Sequence, residues 1–314
     1  MGSIGVLVVT PVYCTPKNRR LPMLLQNMAS VQDQTFKDFL HVVVDDGSTD
    51  ETPSVLQRIT EKHSNICILR EDNKGSSAAV NFGVERSLEK YNPKYITIIH
   101  SDDLLTPTSL ETRVKAAEQH RAKMVYSDML VVDDLSGTAP LYFAAPHYDK
   151  SNEMYSALLH HQYIPYPTLL WDANFFVNRV RGYDPRITSA EDLDIALRSA
   201  QRLGDGEFSE VNAVSVVNRK HAHNLGLENT RNGVKWKCYQ MIFAKHLHGT
   251  PYYMKLARGA VNILRARLPE NIKKPLRHVK RAIFPPAAPP FLDGSIVNSL
   301  TQLTNIDYRR FFNV

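Results

Sequence analysis

Four short clusters in this chain carry side chains able to do chemistry: Asp45-Asp46-Gly47-Ser48, Ser101-Asp102-Asp103, Glu191-Asp192, and Arg219-Lys220-His221-Ala222-His223-Asn224. Each falls at the end of an apolar β-like run or the start of a helical one, where open α/β sheets present a ligand crevice. The carboxylates of Asp45 and Asp46 follow His41-Val42-Val43-Val44 and can accept hydrogen bonds from a base N–H or from ribose hydroxyls. The same residues also read as a turn, with Ser48 capping the next helix. Asp102 and Asp103 follow Tyr95-Ile96-Thr97-Ile98-Ile99-His100, and neighbouring carboxylates repel unless a cation or hydrogen-bond donors neutralise them. Hard oxygen ligands suit Mg²⁺ or Mn²⁺ bridging a carboxylate and phosphates; a solvated turn before Thr106 is the alternative. Asp192 can take a proton from an acceptor hydroxyl if it faces the crevice. It can equally complete a capping box with Ser189, both acids favouring the positive end of a helix dipole. His221 and His223 follow a strand-like run, where a histidine is more often structural; as a ligand it would shift the preference toward Mn²⁺.

Elements able to position these clusters alternate along the first 130 residues. Ile4–Val9, Phe39–Val44, Ile66–Leu69, Tyr95–Ile99 and Met124–Tyr126 read as strands, separated by helical stretches at about 20–33, 51–62, 76–90 and 107–120. Consecutive apolar positions mean strands buried on both faces, and intervening helices make the sheet mostly parallel. The expected fold is a doubly wound α/β layout. Ser48 with Glu51 fits a capping box, and Thr106-Pro107 fits an N-cap followed by proline at the first helical position. The pattern loosens beyond residue 135 through several prolines. An amphipathic helix then runs from about Ala190 to Leu203, and a strand-like Ala213–Val217 leads into the histidine cluster. Residues 230–281 read as helical and basic, Pro285–Pro290 as a stiff linker, and 291–314 as a mixed tail.

At 314 residues with 43% hydrophobic and 22% charged, the chain is long enough for one large core or two modest domains. Its three cysteines, Cys14, Cys67 and Cys238, are far apart and in no CxxC spacing, against a disulfide framework or a zinc ribbon. No signal-peptide pattern and no apolar run long enough for a membrane span are visible. A cytoplasmic protein, soluble or at the inner face of the membrane, is expected. The net charge is +6, but nine Lys or Arg against the single acid Glu270 give Lys255–Arg281 a local +8 and leave the remainder at −2. Interspersed with Leu256, Val261, Leu264 and Ile272, that segment reads either as peripheral contact with an anionic membrane or as a solvated helix face. Nucleic acid is not an expected partner, because no aromatic stacking surface accompanies the charge.

Taken in order, these clusters resemble glycosyltransferase family 2, the inverting enzymes of GT-A fold that use nucleotide-activated sugars. The resemblance covers about residues 4–224. Thr10-Pro11-Val12-Tyr13 is similar to the family's opening loop, and Asp45–Asp50 to its acidic nucleotide loop. Glu71-Asp72-Asn73-Lys74-Gly75 with Ala78–Gly83 resembles the segment that approaches the nucleotide and its phosphates. The resemblance therefore implies donor contacts at Pro11, Tyr13, Asp45, Asp46, Asn73, Lys74, Gly75 and Asn81. Ser101-Asp102-Asp103 stands where the family carries its metal-binding acidic motif, with Ser101 in place of the first aspartate of a strict Asp-x-Asp. That implies Asp103 as the direct Mn²⁺ or Mg²⁺ ligand, with Ser101 and Asp102 as ribose or outer contacts and His221 near the metal and diphosphate. Glu191-Asp192 stands where the family carries its base, implying Asp192 in that role. Val80 stands where the family often has arginine.

Implied with it are a UDP-sugar donor, an acceptor that is a glycan, a lipid-linked sugar or a protein, and a place in polysaccharide, glycolipid or glycoprotein synthesis. The expected organisation is a catalytic domain over 1–224, a basic helical subdomain over 225–281 and a linker with tail over 282–314. A nucleotidyltransferase is the nearest alternative, disfavoured because no Gly-rich loop with a basic residue follows the first strand. Hydride transfer lacks its Gly-x-Gly-x-x-Gly. A non-catalytic nucleotide-sugar-binding scaffold docking through its basic tail is the alternative outside the enzymes.

Overall fold

Each of the five apolar runs near the N-terminus becomes a strand in the structure, a computed structural model. It describes residues 2–133, 139–159, 164–222, 229–230 and 232–246. His223, Asn224, the basic segment 255–281, the Pro-rich linker and the tail to 314 lie outside the described residues.

The strands are β1 (Gly2–Val12), β2 (Phe39–Asp46), β3 (Ile66–Glu71), β4 (Tyr91–Ile98), β5 (Leu104–Leu105), β6 (Met124–Asp133), β7 (Leu141–Phe143), β8 (Leu170–Asp172) and β9 (Phe208–Lys220). They form one mixed sheet in the order β3-β2-β1-β4-β8-β6-β9-β5, with β7 paired to β6. The long pairings β1–β2, β1–β4, β2–β3 and β6–β9 are parallel. The antiparallel ones, through β5, β7 and β8, span two or three residues each. This is the expected mostly parallel α/β sheet. Pro93 is tolerated inside β4 because its stretch pairs only with β1, at Ile4, while β8 joins further on at Tyr95.

Helices α1 (Leu21–Gln32), α2 (Thr52–Thr60), α3 (Ser76–Leu88) and α4 (Ser109–His120) cover the two faces, followed by α5 (Ser151–Leu159), α6 (Glu191–Arg202) and α7 (Val234–His246). Helix α3 lies directly on β1 and β2. A Cβ built on Gly83 would stand 2.7 Å from Val44 Cγ2 and 3.0 Å from Val9 Cγ1. Helix α6 buries Leu193, Ile195, Ala196, Leu197 and Ala200, the amphipathic face its spacing predicts. Helix α7 is tied to it by Lys245 Nζ, 3.0 Å from the buried Asp194 Oδ1. Among the described residues no helix is long and apolar enough to cross a membrane.

Three expected caps are not formed. Helix α2 begins at Thr52 without a side-chain cap, and Ser48 Oγ accepts the Cys14 backbone N–H at 2.9 Å instead. Helix α4 begins at Ser109, and Thr106 Oγ1 donates to the Val214 carbonyl at 2.8 Å, joining the loop to β9. Helix α6 opens on Ala190 in a left-handed conformation, φ 60°, with no side-chain cap from Ser189. For Ser48 and Thr106, a polar side chain near a helix start is taken by the loop after β1 or by β9 instead.

Candidate active site

Parallel pairing of β1 with both β2 and β4 brings the loops after these strands to one edge of the sheet. Val12 lies opposite Asp45, and Val9 opposite Ile98. Strand order turns outward on either side of β1, the arrangement that opens a crevice at the carboxyl ends of the strands.

On the β2 side, both carboxylates are engaged by the protein. Asp45 accepts the Ser48 N–H at 2.8 Å and pairs with the Arg70 guanidinium. Asp46 accepts the N–H groups of Lys74 and Gly75 at 2.7 and 2.9 Å, which folds the loop from Asn73 to Gly75 over the end of β2. Gly75 holds φ at +91° to allow this. Burial pushes the Asp46 carboxyl upward against those two N–H donors. Asn73 and Lys74 are exposed on this loop, while Pro11 is buried in β1 and the Tyr13 ring, 38% exposed, stands out beside it. Asn81, expected to contact the donor, has its carboxamide engaged within the protein. Its carboxamide donates to the Tyr183 carbonyl and accepts the Tyr183 N–H, both at 2.9 Å, bracketing α3 to the segment that leads toward α6.

On the β4 side the loop from His100 to Asp103 is braced from beneath. Asn27, fully buried on α1, donates to the carbonyls of His100 and Asp103 at 3.0 and 2.7 Å. The buried Arg219 guanidinium, at the end of β9, reaches the Asp102 carbonyl at 2.5 Å and Gln26 Oε1 at 2.6 Å. Ser101 is buried in this turn. The two aspartates then diverge. Asp103 Oδ1 accepts from Asn218 Nδ2 at 2.9 Å and from the Arg219 N–H at 3.1 Å, and the side chain is buried. Asp102 Oδ2 instead meets His221 Nε2 at 2.9 Å. Burial opposes ionisation of both carboxyls. The His221 hydrogen bond and the charges of Arg20 and His100 nevertheless hold Asp102 below the usual range, while burial and the Asp102 charge push Asp103 up. The cluster thus pairs His221 with Asp102, while Asp103, expected as the direct metal ligand, is held by Asn218 and the Arg219 N–H.

Asp192 closes the site from the α6 side. His100 Nε2 lies 3.9 Å from its Oδ1. Burial works against a charge on His100, but the carboxylates of Asp192, Glu191 and Asp103 lift its pKa to about 10. Burial and the Asp192 charge raise Glu191, and the desolvated Lys235 of α7 lies close enough for its charge to be felt there. His100 and Asn27 were not singled out as site residues by sequence reasoning, and Arg219 stood in the histidine cluster without a role of its own. His100 could have been, as the last residue of an apolar run that feeds an acidic pair; Asn27 carries no signal of its own, sitting on an ordinary helix face.

A metal at Asp102 and His221 would have one carboxylate and one imidazole from the protein, a set that suits Mn²⁺. Among the described residues no group of three or more His, Cys, Asp or Glu converges on one point. A bound cation there would take further oxygens from a phosphate ligand or water, as such sites commonly do.

Residues 8–170 match the family Glycosyl transferase family 2. Among curated proteins the chain is 26% identical over 277 residues to an uncharacterized glycosyltransferase of Rickettsia felis, covering 86% of this chain and 42% of that one. It is 24% identical to chondroitin synthase of Escherichia coli over 224 residues, 71% of this chain and 30% of that one. The chain therefore spans less than half the length of these relatives. Among solved structures, S. aureus TarS 1–349 in complex with UDP-GlcNAc is similar at a TM-score of 0.55 and 15% identity, covering 98% of this chain and 92% of that one. The fold is thus of the GT-A type.

Proposed function

The chain belongs to glycosyltransferase family 2, and on that premise we propose that it moves a sugar from a UDP-sugar to an acceptor hydroxyl with inversion at the anomeric carbon. One observation carries the reading. Asp192, in the first turn of α6, lies 3.9 Å from His100, two residues before Asp102 in the loop after β4, and Asp102 pairs with His221 just past the end of β9. That proximity supports reading Asp192 as the base and the Asp102–His221 pair as the candidate cation site.

In this reading the acceptor O–H gives its proton to the Asp192 carboxylate as its oxygen bonds to the anomeric carbon. The bond from that carbon to the donor's β-phosphate oxygen breaks, and its electron pair leaves with UDP. Asp102 and His221 would hold Mn²⁺ or Mg²⁺, which when bound supplies charge stabilisation to the departing diphosphate. Asp103 acts through Asn218 and Arg219 to fix the loop that carries Asp102. The exposed Tyr13 ring and the Asp46–Gly75 loop are proposed to frame the nucleoside, a role supported by their place at the β1 and β2 edge. The relatives' names support a glycan acceptor, in polysaccharide, glycolipid or glycoprotein synthesis. The basic stretch 255–281 is proposed to bring the chain to an anionic membrane surface.

The test is UDP release from a panel of UDP-sugars with Mn²⁺ and candidate acceptors. Asp192→Asn should retain UDP binding and lose about 10²-fold or more in turnover, the scale of general-base catalysis. Pyrophosphate as the product, or wild-type turnover by that variant, would overturn the reading.

A further inference from the structure

Among the described residues, the carboxylate assigned as base has little to orient it. Asp192 lies in the first turn of α6 with its side chain 31% exposed, and among the described residues its one ion-pair partner is His100, at 3.9 Å. Asp194, two residues on, is by contrast clamped by Arg198 Nε at 2.8 Å and Lys245 Nζ at 3.0 Å. The helix is therefore anchored at Asp194, while the rotamer of Asp192 is left to whatever faces it across the crevice.

What faces it is a rigid post. The His100 carbonyl accepts both Asn27 Nδ2 and the Asp103 N–H at 3.0 Å. The next residues of the loop are held by Asn27 through the Asp103 carbonyl and by Arg219 through the Asp102 carbonyl. A separation of 3.9 Å exceeds a hydrogen bond, yet catalytic contacts are often long before substrate binds and tighten in the complex.

We propose that His100 is a positioning residue for Asp192: its Nε2–H closes onto Oδ1 when substrates bind and holds the carboxylate toward the acceptor hydroxyl. The inference rests on the reading of Asp192 as base. It has a consequence for the whole site, because His100 is two residues from Asp102 and shares its braced loop. The base is thereby registered against the same loop that is proposed to hold the donor's diphosphate, so acceptor and donor are aligned by one piece of backbone.

The experiment is a double-mutant cycle with His100→Ala, His100→Gln and Asp192→Asn, reading kcat for transfer alongside UDP affinity by calorimetry with Mn²⁺. His100→Ala should lower kcat by roughly 10- to 100-fold, the scale of an ångström's misplacement at a reacting group, with UDP affinity unchanged. His100→Gln, which keeps an N–H donor, should recover part of the loss. On the Asp192→Asn background, His100→Ala should cost nothing further, since a group acting through another has no effect once that other is gone. Wild-type kcat in His100→Ala, the same loss on both backgrounds, or loss of UDP affinity in both His100 variants would overturn the proposal. Should His100→Ala fail to fold, the His100→Gln arm of the cycle decides alone: a partial loss of kcat that disappears on the Asp192→Asn background, with UDP affinity unchanged, supports the proposal, and wild-type kcat or an equal loss on both backgrounds overturns it. Full turnover by Asp192→Asn would instead remove the base reading itself, whatever the His100 variants do.

Discussion

Asp102 and His221 are 119 positions apart in the chain and meet side chain to side chain, Nε2 to Oδ2, at 2.9 Å. The contact exists because the loop after β4 runs into β5, which pairs antiparallel with β9 at Val216 and Val217, and Arg219 reaches under that loop to the Asp102 carbonyl. A carboxylate and an imidazole so placed are alternative partners for a proton or for a metal ion.

If the pair binds the cation, Asp102→Asn and His221→Ala should each weaken Mn²⁺-dependent UDP binding by at least the 10- to 100-fold that even outer-shell changes cause at metal sites. Asp103→Asn should leave that affinity nearly intact, because an asparagine oxygen can still accept from Asn218 and the Arg219 N–H. Titrations of UDP with and without Mn²⁺ measure all three. A larger loss in Asp103→Asn than in Asp102→Asn would return the ligand role to Asp103.

The difference between Asp102 and Asp103 marks how far the sequence could be read. Two adjacent aspartates after an apolar strand identify the loop, and the parallel strands beneath it were legible because burial on both faces leaves an uninterrupted apolar run. Which carboxylate turns outward depends on Asn218, Arg219 and His221, more than a hundred residues later, and no local pattern encodes that. Strand ends were underestimated for a related reason. Strand β9 extends from Phe208 to Lys220 through Glu210 and Asn212, because pairing with β6 sets its length and hydropathy does not. Strand β8, three residues long, is invisible among the prolines around it. Ser48 and Thr106 matched cap patterns, but a cap signal carries no information on whether a neighbouring loop or strand claims the hydroxyl first.

The anchoring of α6 makes a stability prediction. Asp194 is 1% exposed and joins Arg198 of its own helix to Lys245 of α7. Asp194→Ala leaves two cations with their acceptor removed, which typically costs about 3–5 kcal/mol when the pair is buried. Lys245 is 28% exposed and also pairs with Asp184, so the lower end of that range, ~3 kcal/mol, is expected. Urea unfolding measures it, and a loss under about 1 kcal/mol would place Asp194 among weak surface pairs. Lys245→Met combined with Asp194→Ala should cost less than the sum of the two, as residues sharing one network are not additive.

His41 supplies the pH dependence. It is buried in β2 with Nε2 3.0 Å from Thr10 Oγ1 and, among the described residues, no hydrogen-bond partner for Nδ1, and burial lowers its pKa from 6.5 to about 3. The unfolded chain therefore takes up a proton below about pH 6.5 that the native protein refuses until about pH 3. Stability is unaffected by this group above the upper value and falls as the pH drops between the two, by up to about 1.4 kcal/mol per pH unit. In His41→Gln, which keeps a partner for Thr10 but cannot titrate, urea midpoints measured from neutral pH downward should fall less steeply than in the wild type. Parallel slopes in the two proteins would show that His41 takes up its proton in the folded state, with the strand accommodating the charge.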